Sequence, residues 1–210
     1  MPLTPAEHRA AFLAAFPVSR ETESQLEQYE ALLREWNQRL SLVADSTLDM
    51  IWSRHFLDSA QLVRLIPEPA RPVIDMGTGA GFPGVILAIM GLPHLHLVEH
   101  NMRKVGFLRT VIAALGLEVT LHAMKIESVK PFAAGAVTAR AFRPLVELVG
   151  LGRRFLRDET AVAIFPKGRR AEEELTEARR RWRAKVERFP SLTDPESTIF
   201  RLSGIVEARA

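Results

Sequence analysis

The run Asp75-Met76-Gly77-Thr78-Gly79-Ala80-Gly81 puts a carboxylate at the end of a short apolar stretch, with three alternating glycines behind it. Glycines at such a turn let the backbone approach a ligand and adopt positive φ. A turn that follows a strand delivers the ligand to the carboxyl ends of an open sheet. Two ligand chemistries compete for this loop. Gly79, Gly81 and Gly84 satisfy the Gly-x-Gly-x-x-Gly spacing of a dinucleotide site, in which a helix N-terminus faces a pyrophosphate. That ligand would imply an NAD(P)-dependent oxidoreductase. Gly77, Gly79 and Gly81 behind Asp75 suit S-adenosylmethionine instead. It has no phosphate to cradle, and its ammonium and sulfonium charges favour a carboxylate. About 70 residues precede the loop, whereas a dinucleotide fold usually opens its chain. Glu99 ends the next apolar stretch, where a carboxylate can accept both ribose hydroxyls of an adenosine from either cofactor.

Arg54, His55 and Asp58 form a second constellation. His55 and Asp58 are three apart and share a helix face, a pattern that fits a packing network as well as a pocket wall. One His and one Asp without a third ligand make a poor metal site, so no metal is expected. The sequence has no cysteine, which excludes a thiol nucleophile, a disulfide framework and a Cys-based zinc site. Arg140 and Lys167-Gly168 each follow a predicted strand, where a cation can meet a ligand.

These residues need elements to hold them. The first 66 or so residues read as helices. One is capped by Ser19 or Thr22 and carries Leu26, Tyr29, Leu33, Trp36 and Leu40 on a face. A second runs from about Thr47 to Leu65. Strands are expected at Pro72–Met76, His94–Val98, Leu117–Leu121, Ala136–Ala139 and Thr160–Phe165, and helices at Phe82–Met90, Asn101–Leu115, Pro144–Leu151 and Glu172–Arg183. Lys185–Phe189 and Thr198–Leu202 read as a closing antiparallel pair. Alternating strand and helix at this spacing predicts a mainly parallel sheet covered on both faces. Residues 1–69 are expected to pack as a helical extension on one domain spanning 70–210.

Hydrophobic residues make up 47% and charged residues 25%, a globular mixture. No apolar run reaches the length of a membrane helix, and no secretory leader is visible. A soluble cytoplasmic protein, monomeric by default, is the expectation. Charge is uneven: Met1–Ile66 holds 6 Lys/Arg against 9 Asp/Glu, and Arg140–Arg188 holds 14 against 8. A cationic half suggests a polyanionic partner. The run Arg179–Arg183 reads as a solvated helix face, and Trp36 and Trp52 read as core.

The blocks Arg54-His-Phe-Leu-Asp58-Ser, Asp75-Met-Gly-Thr-Gly-Ala-Gly-Phe-Pro-Gly84, Glu99 through Arg103-Lys104 to Arg109, Ala139-Arg140-Ala-Phe and Phe165-Pro-Lys167-Gly168 stand together in this order. In them the chain resembles the RsmG family, also called glucose-inhibited division protein B. Its members methylate a guanine N7 of 16S ribosomal RNA in the small subunit. The resemblance implies a class I methyltransferase fold, a Rossmann-like, mostly parallel seven-stranded α/β sheet with helices on both faces. It implies S-adenosylmethionine as methyl donor and places cofactor contacts at Gly77, Phe82, Glu99, Ile126, Glu127 and Arg140, beside Asp75, Gly79 and Gly81 of the loop. Ile126 and Glu127 would flank the adenine. Arg140, His55, Asp58 and Lys167 would serve the transfer itself. Arg54, Arg103, Lys104, Lys167, Arg169 and Arg170 would contact RNA. Lys125, Ala139 and Arg143-Pro144 depart from the usual family residues. A non-catalytic RNA-binding or assembly factor, and a methyltransferase for a small molecule or protein, remain open alternatives.

Overall fold

A computed structural model describes residues 3–208; Met1, Pro2, Arg209 and Ala210, the outermost residues of the expected 1–69 and 70–210 segments, lie outside them. Seven strands form one sheet in the order β3-β2-β1-β4-β5-β7-β6. They are β1 (Val73–Met76), β2 (Leu95–Val98), β3 (Val119–His122), β4 (Ala136–Thr138), β5 (Val162–Lys167), β6 (Trp182–Pro190) and β7 (Thr198–Glu207). The first five are parallel, and β7 runs antiparallel to both β5 and β6. From β1 the chain goes outward to β2 and β3, then returns to β4 on the other side. The strand order therefore reverses between β1 and β4. A crevice opens there at the carboxyl ends, the place where such sheets bind ligands. Residues that follow β1 and β4 directly, Gly77 and Arg140 among them, are delivered to it.

The helices are α1 (Pro5–Ala15), α2 (Arg20–Asn37), α3 (Asp58–Ala60), α4 (Gly84–Ile89), α5 (Met102–Leu115), α6 (Leu145–Gly152) and α7 (Ala171–Ala178). Ser19 caps α2 by accepting from the Thr22 amide, and Asn101 caps α5 by accepting from the Arg103 and Lys104 amides. Gly116 ends α5 in the left-handed conformation that a C-terminal glycine supplies. The helix expected over Thr47–Leu65 is instead four short pieces. A 3-10 turn over Asp45–Met50 leads into a wide π turn over Ile51–Leu57, then α3, then a 3-10 turn over Gln61–Leu65. Local π geometry is rare and concentrates at functional sites. Other bounds move too, and β6 and β7 are longer than expected. α4 begins at Gly84, after Pro83, and α7 stops at Ala178, so that Arg181–Arg183 leads into β6. β3 lies two residues later than the expected strand at its start.

Residues of the first 60 share one apolar cluster with α4 and α5: Phe12, Leu26, Tyr29, Leu33, Trp52 and Phe56 pack with Phe82, Ile86, Phe107 and Val111. A second cluster joins the strands to α6 and α7. Tyr29 is fully buried, and its hydroxyl donates to the Ala80 carbonyl inside the glycine loop. This anchors the loop to α2. Tyr29→Phe leaves that carbonyl without its partner and is expected to cost about 1–2 kcal/mol. Urea denaturation reads it as a lower midpoint at unchanged slope. No helix among the described residues is long and apolar enough to cross a membrane.

Candidate active site

The crevice holds two adjoining cavities. The first, about 360 Å³, is lined by Gly77, Gly79, Phe82, Glu99, Asn101 and Lys104, with Leu42 and Val43 at one side. Its size is in the range of small-molecule sites. The second is larger, about 730 Å³, and is walled by Arg54, Asp58, Arg143, Lys167, Arg170 and Asp194. His55, Arg140, Ala141 and Phe142 line both, so they form the partition. A reaction between a molecule in one cavity and a molecule in the other must cross it.

The glycine loop builds the first cavity. Gly77, Gly79 and Gly81 all have positive φ, but their surroundings differ. A Cβ at Gly79 would meet only the Gly77 carbonyl oxygen, at 3.9 Å, so the loop there faces open space. A Cβ at Gly81 would come within 2.8 Å of the Tyr29 hydroxyl, and one at Gly84 within 2.8 Å of Asp75 Oδ2. The last two glycines serve packing; Gly79 serves whatever fills the cavity. Glu99 is buried in the cavity wall. Its Oε2 accepts from the Gly79 amide (3.1 Å) and its Oε1 from the Asn101 amide (2.7 Å). Each carboxylate oxygen keeps a second lone pair for a ligand hydroxyl. Asn37 sets the opposite rim: its Oδ1 accepts from the Leu42 and Val43 amides.

Asp75 is a correction. The sequence suggests a carboxylate facing a cationic ligand. In the structure it is fully buried and does not line the cavity. Oδ2 accepts from the Gly84 amide (2.9 Å) and Oδ1 from the Thr138 hydroxyl (2.9 Å), which ties β1 to α4 and to β4. Burial pushes its carboxyl above the ordinary range, and these bonds pull it back. Ile126 and Glu127 also lie away from the cavity walls. Ile126 is buried with Val98 and Val129, and the Glu127 carboxylate pairs with Arg143 at 2.9 Å.

The partition is a hydrogen-bonded unit assembled from distant parts of the chain. Arg140 Nη1 donates to Asp58 Oδ2 (3.0 Å) and Arg140 Nη2 to His55 Nδ1 (3.0 Å). The Arg140 guanidinium lies over the Phe82 ring, 4.8 Å from its centroid, and the His55 ring stacks on the same Phe82 at 5.0 Å. An arginine can only donate, so Nδ1 of His55 accepts and Nε2 carries the proton. That proton goes to the Thr47 hydroxyl oxygen (2.8 Å), which in turn donates to the Ala44 carbonyl. His55 is therefore neutral. Its pKa falls to about 3, through burial first and then the charges of Arg140 and Arg54. Asp58 Oδ1 accepts from Gln61 Nε2 (3.0 Å) and from the Thr193 hydroxyl (2.9 Å), which binds the loop between β6 and β7 to the partition.

This histidine predicts a pH effect. Its folded pKa lies below the unfolded value of 6.5. The unfolded chain then takes up a proton that the folded chain refuses, so stability falls as pH drops below about 6.5. The slope from this one group reaches about 1.4 kcal/mol per pH unit. His55→Gln should flatten the loss of stability between pH 6.5 and 4.5 by roughly 2 kcal/mol, read by urea denaturation at both pH values. Parallel slopes in variant and parent would contradict a buried neutral imidazole.

The remaining predicted residues fall around the larger cavity. Arg54 is half exposed on its wall, with Nη1 3.9 Å from Asp194. Lys167 lines the same cavity with its ammonium engaged. It does not offer a free ammonium, because Nζ donates to Glu174 Oε2 and to the Arg143 carbonyl, both at 2.9 Å. It holds the Ala139–Pro144 segment in place. Arg169 and Arg170 are exposed and pair with Glu196 and Glu173. Lys104 faces the smaller cavity, while Arg103 lies in a separate groove with Trp36 and Arg39. Thr47, Thr138, Phe142 and Thr193 carry positioning roles that sequence reading missed. A hydroxyl eight residues before His55 was the only local signal, for Thr47; the others are set by contacts more than 60 residues apart.

The sequence matches the family model described as rRNA small subunit methyltransferase G over residues 22–199. A protein from Rhodospirillum centenum named ribosomal RNA small subunit methyltransferase G is 51% identical, with 96% of this chain and 93% of the relative covered. Its namesake from Rhodospirillum rubrum is 46% identical, with 94% and 98% covered. Among solved structures, a ribosomal protein L11 methylase from Lactobacillus delbrueckii is similar at TM-score 0.57 and 14% identity, covering 70% of this chain and 76% of that one. An rRNA methylase from Streptococcus thermophilus is similar at TM-score 0.51 and 15% identity, covering 69% and 93%. These structural likenesses show the class I methyltransferase fold.

Proposed function

The chain belongs to the small-subunit rRNA methyltransferase G family, and from that premise we propose that it transfers the methyl group of S-adenosylmethionine to N7 of a guanine in 16S ribosomal RNA, in the bacterial cytoplasm. Residues 70–210 form the transferase domain, with 1–69 as the helical extension that supplies His55 and Asp58. The observation that carries the reading is the partition: a cavity of about 360 Å³ beside the glycine loop and a larger one walled by charged side chains meet at Arg140, His55 and Phe142.

The residues of the first cavity fit the cofactor. Gly79 leaves room where any side chain would intrude, and Glu99 has lone pairs free for two ribose hydroxyls. A dinucleotide fits poorly. It needs amides at a helix N-terminus, but α4 has six residues and its Gly84 amide is already bound to Asp75. When bound, S-adenosylmethionine supplies an electrophilic methyl on a cationic sulfur.

Guanine N7 bears no proton at neutral pH, so no general base is required. The protein's task is alignment and electrostatics. Arg140 has five N–H donors, and the bonds to Asp58, His55 and the Arg54 carbonyl use three. The remaining two can reach guanine O6 and fix the base in its plane. An isolated arginine would oppose a base that becomes cationic. Asp58 cancels its charge at 3.0 Å, and neutral His55 adds none. The unit thus presents oriented donors at little net charge.

Small subunits lacking the modification, incubated with methyl-labelled S-adenosylmethionine, should yield labelled 7-methylguanosine on digestion of the RNA. Cofactor binding without label in RNA would favour the non-catalytic assembly factor.

A further inference from the structure

We propose that the corner of the molecule opposite the active site is a second RNA-binding surface, formed by Arg153, Arg179, Arg180, Arg181 and Arg183 around Trp182, that grips the phosphate backbone of the folded substrate. The proposal rests on the RNA-methylating reading above.

The sheet register fixes where this corner lies. Pro190 pairs with Thr198, and Thr198 pairs with Lys167 at the carboxyl end of β5, beside the larger cavity. Trp182 pairs with Glu207 at the other end of the same two strands. Eight strand steps separate Trp182 from Pro190, about 26 Å. α6 and α7 also run away from the carboxyl edge, so Arg153 and Arg179, which follow their last turns, arrive at the Trp182 end.

The corner is built. The Trp182 ring is buried, and its Nε1 donates to the Val146 carbonyl. The Arg153 guanidinium lies 5.1 Å from its centroid and that of Arg181 lies 5.0 Å from it. Stacking on an indole orients a planar cation and leaves its edge donors outward. Arg179 and Arg183 flank the same Trp182 in a shallow groove. All five arginines are exposed. Among the described residues the ion pair found here is the long Arg181–Glu207 contact, 3.5 Å. By contrast, Arg169, Arg170, Arg188 and Arg201 are each paired with a glutamate within 3.0 Å. Five outward cations against one carboxylate call for a polyanion of regular charge spacing, and a phosphate backbone supplies it. The two surfaces together call for a substrate that extends at least the length of β6.

The test uses the full chain with Arg179, Arg180 and Arg183 replaced together by alanine. None of the three touches either cavity. Binding to transcribed small-subunit RNA, measured without cofactor, should weaken about tenfold or more at low salt. The slope of log affinity against log salt should shrink by about 2 to 3. On unmodified small subunits, KM should rise while kcat and calorimetric cofactor binding stay at parent values, the signature of lost uniform binding. Single Arg183→Gln, should the triple variant fold poorly, is expected to lower the slope by about 1. Unchanged RNA affinity and slope would overturn the proposal even if methylation proceeds. A changed slope in a protein that never methylates RNA would uphold this surface and sink the activity instead. Loss of binding to phosphatidylglycerol vesicles with RNA binding intact would assign the corner to a membrane.

Discussion

Gly79→Val removes S-adenosylmethionine binding while the protein stays folded. The residue sits at φ +61°, where a β-branched side chain is strained by about 1–2 kcal/mol. No protein atom but the Gly77 oxygen lies within 4 Å of the added Cβ, so the loop itself can carry the side chain. Its methyl groups then occupy the cavity between Gly79 and Glu99. Affinity should fall at least about 100-fold, near 3 kcal/mol, by calorimetry. Thermal unfolding should drop only by the strain. Gly81→Ala gives the contrast. Its Cβ collides with Val85 and the Tyr29 hydroxyl, so it should damage folding before binding. Tight cofactor binding by the valine variant would mean that the ligand lies elsewhere.

Arg140→Lys should lower kcat by about 100-fold or more while moving cofactor affinity far less. Lysine keeps the charge, but a single ammonium cannot bridge Asp58 and His55 and still offer planar donors to a base. Arg140→Ala should match it in kcat and also cost stability, because it strips the half-buried Asp58 of its charged partner. The paired carboxylate still has Gln61 and Thr193, so the variant should fold. Single-turnover methylation of small subunits separates the chemical step from product release. Near-parental rates in the lysine variant would show that the charge alone suffices and that the bridging geometry is incidental.

Much of this site is written in local pattern. The apolar run before Asp75, the glycines after it, and Glu99 at the end of the next strand are close neighbours in sequence, and each constrains only its own turn. Strand period, glycine φ and helix caps are decided within a few residues, which is why the alternation of strand and helix and the glycine loop are legible without coordinates. The family resemblance carried residue roles, and some of them the structure redistributes. A carboxylate reads the same whether it faces a ligand or a backbone amide. Only the approach of α4 and β4 turned Asp75 inward, onto Gly84 and Thr138. The same limit hid Lys167, whose partner Glu174 is seven residues on and faces back only because α7 reverses over β5. Arg140 meets His55 and Asp58 across 85 and 82 residues, and Thr193 reaches Asp58 across 135. No periodicity encodes such meetings; they follow from strand order. The sequence by itself determined most of the strands, the glycine loop with its positive φ values and the caps of α2 and α5. The tertiary structure decided which of the charged groups point at one another, because burial and long-range packing, not residue type, set where a side chain finds its partner.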